Sequence, residues 1–194
     1  MPDLVLLAGG LATRLAPISK KIPKSLVKVA GKPFIAHQLT LLKREKISKV
    51  VICAGYLGEQ IQDYVGDGTQ FGLDVQYSFD GEKLLGTGGA ILKTLACLQD
   101  QFFVMYGDSY LDINFSLIWK HFLAHNNDGL MTVFLNDNKW DNSNIIYENG
   151  KIIKYDKKNS NSEMKYIDYG LSILTKKAFN HFNKQTIFDL AELL

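Results

Sequence analysis

The sequence lacks the features that mark secreted, membrane-bound or nucleic-acid-binding proteins. Its two cysteines, Cys53 and Cys97, lie in apolar contexts, which favours buried free thiols in a reducing compartment over a disulfide or a metal pair. No apolar run approaches the ~20 residues of a membrane span, and the N-terminus lacks the charged and apolar regions of a signal peptide. The formal net charge of +2 is far from the basic excess that accompanies nucleic-acid binding. We therefore expect a cytoplasmic protein whose partners are neither nucleic acids nor membranes.

The pattern of apolar residues over the first two thirds of the chain alternates between strands and helices. A chain of 194 residues with 46% apolar and 22% charged residues suits one globular domain. Continuous apolar runs predict strands at 4–8, 49–54, 102–106 and 130–135, and alternation predicts one at 74–79. Helical spacing predicts helices at 34–44, 58–65, 88–98 and 115–123. This alternation predicts an α/β fold with a doubly wound, mostly parallel, Rossmann-like sheet flanked by helices.

The alternation of predicted strands and helices ends at about residue 140. Two short runs, 145–148 and 151–156, flank Asn149-Gly150, which is a strong signal for a hairpin with a two-residue turn. A polar loop at 157–165, a strand at 171–174 and short helices at 178–182 and 187–193 are expected to follow. The whole chain, 1–194, is thus expected to be a single domain with an antiparallel hairpin addition in its second half.

The segment LAGGLATRL (7–15) follows the first predicted strand directly. Ligands of parallel sheets bind outside the carboxyl ends of the strands, and the paired glycines Gly9 and Gly10 let the backbone approach an anion closely. Arg14 adds a forked donor for phosphate, and Lys24 lies ten residues further on as a second cation. The alternative is a tight turn with surface cations. The Walker and dinucleotide fingerprints are both absent.

Three further segments fall at the same predicted edge of the sheet. Gly86 and Thr87 lie in a glycine-rich loop, LLGTGGA (84–90), that opens a helix and suits either an anion or a base, or serves only as a helix-entry turn. Gly55 ends the second strand on the same rim, where it could close over a base. Asp108 in YGDS (106–109) is the best metal-ligand candidate, with a cap or turn residue as the alternative. One carboxylate is enough for Mg²⁺ bound to phosphates, because that ion keeps several waters.

Together these motifs resemble the sugar-1-phosphate nucleotidyltransferase family. The family opens with a signature close to L-A-G-G-x-G-T-R-L followed by a P-K pair; this chain reads LAGGLATRL and then KIPKSL and VAGKPF, with Ala12 in place of the usual glycine. The resemblance implies that Arg14 holds the triphosphate, Lys24 stabilises charge on the transferring phosphoryl group, and Asp108 binds Mg²⁺. It implies nucleotide contacts from Leu7, Ala8, Gly9, Gly10, Gly86 and Thr87.

The resemblance also extends to a binding site for the sugar phosphate. Asp156-Lys157, at the end of the predicted hairpin, is similar to the family's E-K pair, which implies Lys157 on the phosphate and Asp156 near the sugar hydroxyls. A solvated charge pair is the alternative. Asn144, Asp168 and Gly170 match segments that line the sugar pocket in the family, and Gly170 would let the sugar lie against the backbone.

The reaction implied is an in-line displacement between a nucleoside triphosphate and a sugar 1-phosphate. No general base is required, because the attacking phosphate oxygen is already anionic. The motifs are most similar to those of members that use GTP with heptose or mannose 1-phosphate for cell-surface polysaccharides such as lipopolysaccharide. The alternatives are UTP, dTTP or CTP as the nucleotide and another phosphomonoester, such as phosphocholine, as its partner substrate. A homo-oligomer is also possible.

Two hypotheses that assign the protein to other functional classes also stay open. A non-catalytic nucleotide- or sugar-binding module has the same motifs. A glycosyltransferase shares the architecture but usually carries a D-x-D metal motif, which Asp108-Ser109-Tyr110 does not supply. Family members usually continue past residue 194 with another strand and a second metal-binding carboxylate. The domain is therefore expected to lack its usual C-terminal end.

Overall fold

A computed structural model describes residues 1–10, 21–125, 127–182 and 186–194. In these ranges the helices are α1 (Phe34–Arg44), α2 (Gly58–Val65), α3 (Gly86–Thr94) and α4 (Phe115–Ala124). The main sheet contains β1 (Leu4–Leu7), β4 (Lys49–Ala54), β5 (Asp74–Phe79), β6 (Gln101–Tyr106), β7 (Gly129–Leu135), β8 (Ile145–Glu148), β9 (Lys151–Tyr155) and β10 (Tyr166–Thr175). A separate small hairpin is formed by β2 (Lys28–Val29) and β3 (Lys32–Pro33).

The main sheet combines a parallel half with an antiparallel half. Its strand order is β5-β4-β1-β6-β10-β8-β9, and β7 pairs with β10. The pairs β5–β4, β4–β1 and β1–β6 are parallel, whereas β10 runs antiparallel to β6, β7 and β8. The predicted α/β fold with an antiparallel addition is confirmed. The addition is larger than a hairpin, because β10 lies between β6 and β7.

Side chains from both faces of the central strands are buried. Leu4 and Leu6 of β1 pack with α1, α2 and α4, whereas Val5 and Leu7 pack with α3 and the C-terminal segment. All four leucine and valine side chains are at most 8% exposed. A strand covered on both faces has no polar side to alternate with, which explains the continuous apolar runs in the sequence.

Turn residues account for the hairpins. Asn149 and Gly150 both adopt positive φ, 48° and 82°, as a two-residue turn of this kind requires, and the predicted hairpin is confirmed. The β2–β3 hairpin was not predicted. Its turn places Ala30 at φ 49° and Gly31 at φ 80°, and an alanine gives no signal for the left-handed conformation.

Predictions for the last third of the chain were less accurate. The strand expected at 171–174 extends over 166–175, because its first half pairs with β7 and β8. The helices expected at 178–182 and 187–193 are instead 3-10 segments, Lys176–Phe182 and Leu190–Glu192. The second begins at residue 190 and not at 187, because Asp189 caps its N-terminus, together with Glu192, in a capping box.

The cysteines are both free, as predicted, but only Cys53 is buried. Burial raises the pKa of the Cys53 thiol well above its ordinary value. The expectation that Cys97 is also buried was wrong, because the 3-10 segment Leu95–Cys97 at the end of α3 leaves it exposed. No helix in the described ranges combines the length and apolar character needed to cross a membrane.

Candidate functional site

The carboxyl ends of the parallel strands open into a cleft of about 610 Å³. This is the edge at which ligands of open α/β sheets bind. The cleft is lined by Leu7, Ala8, Gly9, Gly10, Lys24, Ser25, Cys53, Asp80, Leu84, Gly86, Thr87, Ala90, Tyr106, Gly107 and Asp108. Three segments that are distant in the sequence and were predicted to share a site therefore meet here.

Glycines allow the strand ends to pack backbone against backbone beneath the cleft. A Cβ atom on Gly107 would lie 2.7 Å from the carbonyl oxygen of Leu7, and one on Gly55 would lie 2.7 Å from that of Gly9. Among the described residues, no atom lies within 4 Å of the position that a Cβ on Gly10 would take. Gly55 therefore supports the cleft from behind the first glycine loop. Residues 11–20 lie outside the described residues, so the predicted roles of Arg14 and Ala12 stay predictions.

Lys24 and Asp108, which are 84 residues apart in sequence, form an ion pair in the cleft. Their Nζ and Oδ2 atoms are 2.6 Å apart, and both side chains are about half exposed, at 41% and 50%. The turn that carries Asp108 is supported by Gln38, a fully buried residue of α1. Its Nε2 donates to the carbonyl oxygens of Tyr106, at 3.1 Å, and Ser109, at 2.7 Å. The helix thus positions the carboxylate predicted to bind metal.

The donor set around Asp108 suits magnesium better than a transition metal. No three histidine, cysteine, aspartate or glutamate side chains cluster as a metal site in the part of the chain that the structure describes. Asp112 forms an ion pair with Arg44 instead. A single accessible carboxylate fits Mg²⁺, which takes its other ligands from phosphates and water, and does not fit a structural zinc site.

The second glycine-rich loop forms the far wall of the cleft and is bound to the C-terminal segment. Gly86 has φ +72°, and a Cβ there would lie 2.5 Å from the carbonyl oxygen of Phe188. The Thr87 hydroxyl accepts a hydrogen bond of 2.7 Å from the backbone N–H of Leu190. Both residues line the cleft as predicted. The Thr87 hydroxyl, predicted to contact a base, also holds the C-terminal segment in place.

Beside the cleft, a second group of polar side chains surrounds Tyr106. Lys157 Nζ lies 2.9 Å from Asp189 Oδ1, and 5.9 Å and 5.6 Å from the ring centres of Tyr106 and Tyr155. Asp168 approaches the two tyrosines from β10, and burial raises the pKa of its carboxyl. Burial also raises the pKa of both phenols, and the nearby Asp168 carboxylate raises them further. We call these five residues the tyrosine cluster.

Several polar atoms of the tyrosine cluster are buried without a hydrogen-bond partner. Within the described part of the chain, these atoms are the hydroxyls of Tyr106 and Tyr155 and Oδ2 of Asp168. Oδ1 of the nearby sequence candidate Asn144 is likewise buried without a partner there. The Tyr106 and Tyr155 hydroxyls lie close enough to Asp168 to lower the pKa of its carboxyl and so to offset part of the rise caused by burial. Neither hydroxyl, however, forms a hydrogen bond with the carboxylate. Each such atom costs about 1–3 kcal/mol. This concentration of unpaired polar atoms beside a lysine fits a ligand with several hydroxyls and an anionic group.

Two predicted sugar-binding residues are engaged in local structure. The Asp156 carboxylate accepts hydrogen bonds of 2.9 Å from the backbone N–H groups of Lys158 and Asn159, which hold its pKa below the usual range. Gly170 has φ +98°, and the direction of its missing side chain is filled by Ser109 Oγ, 2.3 Å from an ideal Cβ. The Asp156 carboxylate is thus engaged by its own loop and by Lys154 of β9, and Gly170 is required by packing against the turn that follows β6.

No role was predicted from the sequence for several residues that the structure places at the site. Ser25 lines the cleft, and its buried hydroxyl has no hydrogen-bond partner among the described residues. Asp80 lines it at the end of β5, and Tyr106 joins the cleft to the tyrosine cluster. Asp189 was expected inside a helix. For Asp80 a signal existed, since it follows a predicted strand at the ligand-binding edge; Tyr155 and Asp189 gave no comparable signal.

Most of the chain is similar to one family of known proteins. The family model described as "Nucleotidyl transferase" matches residues 4–191. The chain is 32% identical over 192 residues to D-glycero-alpha-D-manno-heptose 1-phosphate guanylyltransferase of Campylobacter jejuni, covering 98% of this chain and 83% of that protein. It is 39% identical over 117 residues to N-acetylmuramate alpha-1-phosphate uridylyltransferase of Neisseria meningitidis, covering 60% of this chain and about half, 51%, of the relative.

A solved structure has the same fold over nearly the whole chain. HddC from Yersinia pseudotuberculosis superimposes with a TM-score of 0.82 at 25% identity, covering 98% of this chain and 84% of that one. The same protein complexed with GMP-PN superimposes with a TM-score of 0.78.

Proposed function

Since the chain belongs to the nucleotidyl transferase family, we propose that it joins GTP to a heptose or mannose 1-phosphate, giving a GDP-sugar and pyrophosphate. The observation that carries this proposal is the position of Tyr106. Its side chain lines the cleft that contains Lys24 and Asp108, and its ring lies beneath Lys157 in the tyrosine cluster. The cleft proposed to bind the triphosphate and the tyrosine cluster proposed to bind the sugar phosphate thus share Tyr106, as a direct transfer between two substrates requires.

In this reaction an oxygen of the sugar 1-phosphate attacks the α-phosphorus of the triphosphate. The new P–O bond forms as the bond from the α-phosphorus to the bridging oxygen breaks, and pyrophosphate leaves with that electron pair. Lys157 holds the phosphate of the sugar, while Asp168 and the phenols bind sugar hydroxyls. Lys24 neutralises charge on the transferring group, and Arg14 retains its predicted contact with the triphosphate. The protein contributes positioning and electrostatic stabilisation.

Magnesium is part of this proposal. Asp108 would hold the ion, and the ion would neutralise phosphate charge when bound. Similarity over nearly the whole chain to a heptose 1-phosphate guanylyltransferase, and the solved complex of a structural neighbour with GMP-PN, support the choice of GTP and heptose. A nucleotide sugar of this kind is a precursor of cell-surface polysaccharides such as lipopolysaccharide, made in the cytoplasm.

Pyrophosphate release tests the proposal directly. GTP, UTP, dTTP and CTP are each combined with heptose, mannose and glucose 1-phosphates and with phosphocholine, in the presence of Mg²⁺. We expect the highest kcat/KM for GTP with heptose or mannose 1-phosphate. Lys24→Ala should abolish most of the release, whereas Lys28→Ala, an exposed lysine on β2, should not. Nucleotide binding without release from any pair would contradict catalysis and favour a binding module.

A further inference from the structure

Asp80 lies in the cleft at the end opposite Lys24 and Asp108. It directly follows β5, the edge strand, whereas Asp108 follows β6. The order β5-β4-β1-β6 separates the two strands by three strand spacings, roughly 14 Å. Under the proposed function, with the phosphates beside Lys24, the nucleoside extends along the strand ends towards Asp80.

The Asp80 carboxylate is only partly satisfied by the protein. Its Oδ2 accepts one hydrogen bond, of 3.2 Å, from the backbone N–H of Leu85. A carboxylate has about four acceptor positions, so most of its capacity is left for a ligand. Burial raises the pKa of this carboxyl, while the Leu85 N–H and the nearby Lys93 oppose the rise.

The neighbouring residues keep the carboxylate open to the cleft. A Cβ on Gly55 would lie 3.2 Å from Asp80 Oδ2, so a side chain there would crowd it. Leu84, on the same wall, is 40% exposed and offers an apolar surface for the face of a planar ring. The site therefore combines an apolar contact with an acceptor-only group in the wall of the cleft.

The chemistry of the nucleobases then identifies the ligand. Only guanine presents two adjacent donors, N1–H and the N2 amino group, on its pairing edge, whereas adenine, cytosine, uracil and thymine present a donor next to an acceptor. A carboxylate accepts from both guanine donors and has no donor to offer the other bases. We propose that Asp80 selects guanine by accepting hydrogen bonds from N1–H and N2–H. This inference rests on the proposed function, whose nucleotide it specifies.

Base analogues test the inference in the intact enzyme. ITP lacks the N2 amino group, so the wild type should use it roughly 10-fold less efficiently than GTP, by kcat/KM. Asp80→Asn replaces one acceptor by a donor and matches the N1–H and O2 of xanthine. This variant should lose about 100-fold with GTP and should prefer XTP to GTP. A gain with XTP cannot come from misfolding. Asp74→Asn, in an exposed residue at the start of β5, should leave all three efficiencies unchanged.

Each outcome of the experiment has a distinct meaning. Three results would overturn the role of Asp80 and leave the transferase activity intact. They are equal kcat/KM of the wild type for GTP and ITP, a wild-type preference for UTP or dTTP, and an Asp80→Asn variant whose kcat/KM falls for GTP without rising for XTP. Absence of turnover with every triphosphate would instead reject the proposed function. Base selection would then be decided by calorimetric titration of both proteins with GTP, ITP and XTP, where the same order of affinities is expected and equal affinities would overturn the inference.

Discussion

We expect Asp168→Asn to stabilise the protein and to weaken its enzymatic activity, because one carboxylate oxygen of this residue is buried without a partner. Oδ1 accepts a 2.8 Å hydrogen bond from the Gly170 N–H, whereas Oδ2 has none. The asparagine amide keeps the first contact through its oxygen. Its NH₂ group replaces Oδ2 and donates to the hydroxyl of Tyr106 or Tyr155. The variant therefore satisfies polar groups that the wild type leaves unpaired.

The size of the stabilisation follows from the burial of this atom. An unpaired buried acceptor costs about 1–3 kcal/mol, and the residue as a whole is only half-buried, so the lower end applies. A gain of about 1 kcal/mol corresponds to about 2–4 °C in Tm for a chain of this length. Burial raises the folded-state pKa of Asp168 above its unfolded value. The ionised Asp168 carboxylate therefore lowers the free energy of unfolding at pH values above its folded-state pKa, and this destabilisation is lost as the pH falls through that pKa.

The assay combines urea unfolding between neutral and acidic pH with the kinetics of pyrophosphate release. We expect Asp168→Asn to be more stable than the wild type at neutral pH, with a difference that shrinks towards acid. We also expect a KM for the sugar phosphate raised about 10-fold. Asp100→Asn, whose side chain is 95% exposed, should change neither quantity. A variant that is less stable than the wild type at neutral pH, or whose KM is unchanged, would refute the reasoning.

Three other substitutions test separate parts of the site. Lys24→Ala should lower kcat about 100-fold and change the triphosphate KM far less, because its charge acts on the transition state; equal losses in steady-state kinetics would contradict this role. Gln38→Leu should reduce the free energy of unfolding by about 1–3 kcal/mol and lower kcat, since it removes both hydrogen bonds to the turn that carries Asp108. Gln70→Ala, in an exposed glutamine bonded to backbone carbonyls, should leave kcat unchanged. Gly86→Ala should cost at least about 2 kcal/mol in thermal or urea unfolding, owing to its positive φ and an adjacent carbonyl. Gly10→Ala, whose Cβ would meet no atom of the described residues within 4 Å, should cost less than about 0.5 kcal/mol. Similar losses for the two glycines would argue against the packing explanation.

Local sequence signals predicted the parallel half of the fold closely. Four elements, α1, β4, α2 and β5, begin and end where the sequence indicated. Pro33 marks the start of α1, and each of the four elements shows a clear local pattern: helical spacing in α1 and α2, a continuous apolar run in β4 and alternation in β5. The C-terminal segment was predicted poorly because its conformation depends on distant contacts. Thr87 bonds Leu190, 103 residues away, and no local pattern carries that information.

The sequence by itself determined the order of strands and helices, the glycine loops, and the acidic and basic residues that follow the strands. Parallel strands bring their carboxyl ends to one edge, so Lys24 and Asp108 could be expected in one cleft. Only the tertiary structure brought Tyr106, Tyr155 and Asp189 together with Lys157 and Asp168, and only it decided which end of the cleft Asp80 occupies. Both arrangements depend on β10 lying between β6 and β7 and on β5 lying at the edge of the sheet. The neighbours of a strand are chosen by packing over the whole domain, and the same choice determines which polar atoms are buried without partners.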